Sequence, residues 1–234
     1  MSLLNQITVD ELQRISSIEN NSIYTASDKK VGVVAVVDGV GIAEVMHRTI
    51  AQVNKRYAEI QQASQQLPSL QAKRTIRVGA KWYRFEWFID EITAGQLVEL
   101  FSYDMTSELA VIDNLHLILA TLSRECRMWK WWPKAYDGKE HKERAEAMRQ
   151  MVVADVWGYA AFFAAFRTFV DDYAEVFDGA GDDDDNGQGL KRPNYGWVGV
   201  VFRMAGKDPL KMERVFEMPA REFMNALLLM KAMP

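Results

Sequence analysis

Apolar residues recur along most of this chain at steps of three and four, the period of a helix with one buried face. Thr8 with Glu11 makes a capping box, which predicts a first helix running to about Ile18. ENNSIYTASDKK then reads as a loop. The next stretch, VGVVAVVDGVGIAEVM, is a short strand or helix, then Gly39 and Gly41, then helical character lasting to about Leu67. Within that long helix Ala43, Met46, Ile50, Val53, Tyr57, Ile60, Ser64 and Leu67 alternate threes and fours among polar residues. Such a narrow seam of heptad type packs either on the protein's own core or on a partner helix. Pro68 ends it.

KRTIRVGAKWYRFEWF switches to a period of two around Gly79 and predicts a β-hairpin. Ile76 and Val78 lie before the turn; Trp82, Phe85 and Phe88 lie after it. Thr93 with Gln96 opens a helix to about Tyr103, and Thr106 or Ser107 caps a longer one. That helix carries Leu109, Ile112, Leu115, Leu119 and Leu122 as its buried stripe. Helices are expected at about 139–151 and 153–177. The most apolar run, MVVADVWGYAAFFAAFRTFV, has a bilayer-spanning length. Arg167 lies inside it and Asp171, Asp172 and Glu175 follow, so it reads as a packed core helix. Its alanines leave room for a second helix to approach closely. DGAGDDDDNGQGLKRPN is an acidic linker, and two further helices follow it. The expected division is 1–68 with the seam helix, 69–178 with hairpin and helical core, 179–194 as linker, and 195–234 as C-terminal helices. The fold class is mainly α: a helical domain with a small β-hairpin, a long N-terminal helix and a C-terminal helical segment.

Composition changes this picture little. Hydrophobic residues at 49% and charged residues at 26% suit a folded globular chain. A net charge of −4 opposes unspecific attraction to phosphate backbones, so nucleic acid is an unlikely partner for the molecule as a whole. The single cysteine, Cys126, allows no internal disulfide and fits a reducing compartment, and the N-terminus shows no secretion signal. A cytoplasmic protein without a membrane span is expected.

Candidate chemistry thins out on inspection. Gly39 and Gly41 begin a dinucleotide fingerprint, but Glu44 occupies the third glycine position and no second strand follows. Asp182, Asp184, Asn186 and Gly187 match the first half of a calcium loop. Pro193 stands where the bidentate glutamate belongs, so the segment reads as a solvated acidic linker and calcium only as the weaker alternative. His47, His116 and His141 lack zinc spacing. No nucleophile elbow or P-loop occurs. The expectation is a protein that is not an enzyme and needs no metal or cofactor. CRMWKWWPKAYDGKEHKER sets Trp129, Trp131 and Trp132 among Arg127, Lys130 and Lys134, with Pro133 opposing a helix. These rings cover the domain's own core, meet a protein partner, or contact nucleic acid or lipid.

The order of segments resembles the tail assembly chaperones of long-tailed bacteriophages. The likeness runs from IRVGAKWYRFEWF into EITAGQLVELF, then NLHLILATLSRE, YDGKEHKERAEAM, VWGYAAFFAAF and WVGVVFRMAGKDPLKMERVFEMPAREFMNALL, covering roughly residues 73 to 232. The resemblance implies a mainly helical protein of the bacterial host cytoplasm that acts in virion morphogenesis. It would keep the tape-measure protein soluble, bring tail-tube subunits to it, and be absent from the finished particle. The chain departs from that family in its length and its first 68 residues. A structural virion subunit, in the tail or at the head–tail connection, is therefore the alternative. Trp129, Trp131, Trp132, Met46, Ile50 and Val53 are the expected contact residues, for these partners or for self-association.

Overall fold

The computed structural model describes residues 2–66, 73–127, 132–134, 136, 138–177 and 196–232. The molecule is mainly helical with a small antiparallel sheet. Helix α1 (Val9–Asn20) starts at the Thr8–Glu11 capping box. Helix α2 (Ala26–Asp38) starts at a second box, Thr25 with Asp28, so the supposed loop ASDKK forms its first turns. The valine-rich stretch is helical because it is buried: Val33, Val34, Ala35 and Val36 are all core. Gly32 lets α2 approach closely, since a Cβ there would stand 3.2 Å from Ile18. No strand precedes Gly39; it ends α2 in the left-handed conformation at φ 65°. The nucleotide fingerprint therefore has no strand to stand on.

The expected long helix is broken. Helix α3 (Ile42–Met46) stops, and Thr49 with Gln52 makes a fresh capping box that starts α4 (Ile50–Ser64). Asp38 holds the break in place, accepting from Arg48 at 2.5 Å and Arg56 at 2.9 Å. Strands β1 (Thr75–Val78) and β2 (Lys81–Phe85) form the expected hairpin. Gly79 alone takes positive φ in its turn, at 57°, as a type II′ turn needs at its first central residue. Helix α5 (Ala94–Leu100) has its Thr93–Gln96 box, and Ser107 caps α6 (Glu108–Thr121). Strand β3 (Ser123–Arg127) then pairs with β2, and β4 (Trp132–Pro133) adds a two-residue edge. Helices α7 (His141–Arg149), α8 (Gly158–Asp172), α9 (Ala174–Phe177), α10 (Gly196–Met204), α11 (Met212–Phe216) and α12 (Ala220–Ala232) complete the chain.

These elements form two compact units that do not follow the expected boundaries. One takes Met1–Phe85 and Asp104–Tyr159; the other takes Glu86–Tyr103 and Ala160–Pro234. The hairpin joins the first unit because β2 pairs with β3. In that unit Ile76, Tyr83, Phe85 and Ser123 point inward, and the core continues through Val111, Leu115, Ile118, Leu119 and Leu122 of the α6 region. The α6 stripe thus begins at Val111, while Leu109 is 45% exposed. The N-terminal segment is tied in by backbone bonds from Val9 to Met151 and from Val153 to Ile7.

In the second unit, residues 92–94 run beside 218–220. Ala94 donates to Met218 at 2.7 Å, and Ala220 donates to Ile92 at 3.0 Å. This bridge places α5 with the C-terminal helices, so residues 195–234 are not a separate body. Helix α8 buries Phe162, Phe163, Phe166 and Phe169, with Tyr173 just beyond its end. Phe101 contacts Phe166 and stacks on Trp197, which in turn meets Phe223. The opposite side of α8, with Ala161, Ala164 and Ala165, is exposed rather than covered by a close-packed helix. Among the described residues no helix is long and apolar enough to cross a membrane. The acidic linker, with its partial calcium loop, lies outside the described residues.

Candidate interaction surface

The predicted seam falls into two environments, exposed up to the first residue of α4 and buried at Val53 and Ile60. Val53 (8% exposed) and Ile60 (5%) pack inward, where α4 lies against α2. Tyr57 lies half-buried between them and donates to Glu19 at 2.8 Å. Met46 and Ile50 do the opposite: they are 70% and 81% exposed, and Ile42, one turn before Met46, is 58% exposed. Val45 alone anchors α3, fully buried. Three large apolar side chains are therefore exposed, two on α3 and one at the first position of α4. Ile50 and Val53 lie three residues apart on the same helix, so their difference in burial reflects the place of Ile50 at the first position of α4 and not the break itself.

Charge ties the end of α2 to the turn after α3 and to α4. Burial opposes ionisation of Asp38, but the guanidiniums of Arg48 and Arg56 outweigh it and hold the carboxyl below its usual range. Arg56 also reaches Glu59 at 3.3 Å. The α2 C-terminus, the turn after α3 and the first turns of α4 thus share one ionic knot.

The other expected contact residues fare differently. Trp129 and Trp131 lie outside the described residues. Trp132 opens β4, opposite Arg127 in the register. Strand β3 was missed because its sequence, SRECR, carries no apolar alternation. Of the histidines, His116 is buried in a polar cluster inside the first unit. Its Nε2 accepts from Arg149 at 2.9 Å, while Gln13 lies 2.9 Å from its Nδ1 and donates to the carbonyls of Ile112 and Asp113. Burial, reinforced by the Arg149 charge, holds His116 below its ordinary pKa and therefore neutral. His141 sits 3.2 Å from the Thr121 hydroxyl.

A groove of about 440 Å³ runs between the end of α1, the start of α2 and α4. Its polar groups engage one another: Lys30 donates to Asn54 at 2.9 Å and Lys29 to the Glu19 carbonyl at 2.5 Å. No group of three potential metal ligands occurs among the described residues. What this region offers chemically is apolar contact area on a rigid support. Against protein-family models, characterised proteins and solved structures, the chain gives no match.

Proposed function

We propose that this protein is a non-enzymatic assembly chaperone that shields apolar helices of a client, in the manner of phage tail morphogenesis. The observation that carries the reading is the outward ridge of Ile42, Met46 and Ile50, 58%, 70% and 81% exposed beside a well-packed core. Isolated exposed apolar residues need no explanation, but three between positions 42 and 50 offer contact area that an amphipathic helix can cover. Covering each such side chain is worth up to roughly 1.5–3 kcal/mol. The client class, a tape-measure protein with tail-tube subunits, comes from the resemblance in segment order and not from the ridge itself.

Co-expression with a tape-measure protein tests the reading. A chaperone raises the client's soluble fraction and is missing from purified particles by mass spectrometry. Stoichiometric presence in the particle favours the structural-subunit alternative, and no gain in solubility refutes the chaperone reading.

A further inference from the structure

The sheet ends on β1, which pairs with β2 along one edge only. In an antiparallel ladder alternate residues exchange backbone bonds with the partner strand, and the residues between them turn their N–H and C=O the other way. Phe85 sets the phase here, donating to the Arg74 carbonyl at 2.8 Å. Residues 74, 76 and 78 therefore face β2, and Thr75 and Arg77 turn their backbone groups to the outer edge. Neither residue's N–H or C=O has a backbone partner among the described residues. Buried groups of this kind are almost always paired, so these four stand in water.

The side chains beside that edge alternate. Ile76 (7% exposed) and half-buried Val78 lie on one side of the strand, and Thr75 and exposed Arg77 on the other. Charge decides what can pair there. Residues 67–85 hold five lysines and arginines and no aspartate or glutamate. Lys73 is matched by Asp155, and Lys81 by Glu125 and Glu143. Arg77 meets no carboxylate among the described residues; its Nε donates to the Gly79 carbonyl at 2.9 Å. Two copies joined through β1 would bring two basic strands together with no acid between them, which is how natural edge strands refuse one another. A strand carrying a carboxylate opposite Arg77 gains a favourable cross-strand pair instead.

We propose that the outer edge of β1 takes an extended acidic segment of a partner protein as an added strand, one in which carboxylates alternate with β-branched residues. The main chain of Thr75 and Arg77 supplies the hydrogen bonds, and alternate side chains supply the selectivity. Carboxylates fall on the Arg77 side, and the β-branched residues extend the apolar row of Ile76 and Val78. This edge is separate from the ridge on α3 and α4, and the two readings stand or fall independently.

The test uses the full chain at 50 mM salt and a capped, labelled peptide of about seven residues alternating glutamate and valine. Fluorescence anisotropy measures its binding, and amide hydrogen exchange read by nuclear magnetic resonance locates it. In the chain alone the N–H groups of Thr75 and Arg77 should exchange fast and those of Ile76 and Val78 slowly; the peptide should slow the first pair at least about tenfold. A lysine–valine peptide is expected to bind about tenfold more weakly. Methylating alternate peptide nitrogens, which removes the donors of one edge, should abolish binding. Arg77→Glu, at an exposed position, is expected to weaken the glutamate peptide about fivefold and favour the lysine one. Absence of binding overturns the proposal, as does binding that leaves Thr75 and Arg77 unprotected or survives methylation. An Arg77→Glu chain with unchanged preference overturns the choice of an acidic partner. Protection of Thr75 and Arg77 without peptide, in a chain that sediments as a dimer, assigns the edge to a second copy and overturns it equally.

Discussion

Ile50 and Val53 are neighbours on the predicted seam, yet replacing each with alanine should have opposite consequences. Val53 is 8% exposed, so truncation removes two buried carbons, worth about 0.8 kcal/mol each, and leaves a small cavity. Alanine's better helix propensity returns about 0.5 kcal/mol, for a net loss of about 1–2 kcal/mol. Ile50 is 81% exposed, so only about a fifth of its burial energy, roughly 0.5 kcal/mol, is at stake. The propensity gain offsets that, and Ile50→Ala should leave stability within about 0.5 kcal/mol of the parent. Urea unfolding followed by far-ultraviolet circular dichroism measures both. At a slope of about 2 kcal/mol per molar, Val53→Ala lowers the midpoint by about 0.5–1 M, while Ile50→Ala hardly moves it. A loss above about 1 kcal/mol for Ile50→Ala refutes the placing of Ile50 outside the core. An unchanged midpoint for Val53→Ala refutes the placing of Val53 within it.

His116 supplies a pH signature. Its folded pKa lies below the unfolded value, so its stabilising effect is complete above the unfolded value near 6.5 and declines as pH falls towards the folded one. Thermal melts between pH 7.5 and 5 should show this decline, and His116→Gln should flatten it; an identical pH profile in the variant contradicts the assignment. Asp38→Asn removes the charge from the knot with Arg48 and Arg56. It should cost about 1–3 kcal/mol by chemical denaturation, with Arg48→Ala costing less because Arg56 remains, and no loss would show the knot to be unimportant. Gly39→Ala places a side chain at φ 65° and should lower stability by about 1 kcal/mol; an unchanged melting temperature counts against that cap geometry.

The sequence was most readable where a signal spans three or four residues. The Thr8–Glu11 and Thr93–Gln96 boxes announced their helices, and alternation around Gly79 announced the hairpin, because each is a local pattern. Two equivalent signals were overlooked. Thr25 with Asp28 marks the start of α2, and Thr49 with Gln52 marks the start of α4 after the break. The heptad spacing runs unbroken through that break, so periodicity alone could not reveal it. Long-range pairing was the least legible. Strand β3 is held by its partner β2 rather than by any hydrophobic pattern of its own, and the contact of residues 92–94 with 218–220 joins segments over a hundred positions apart.

The central claim is that Ile42, Met46 and Ile50 form a surface for another helix. Replacing all three with serine and co-expressing the variant with a tape-measure client tests it most directly. The account predicts a variant that folds with a melting temperature within a few degrees of the parent but no longer raises the client's soluble fraction. A folded variant that keeps the client in solution as well as the unaltered chain does would contradict it.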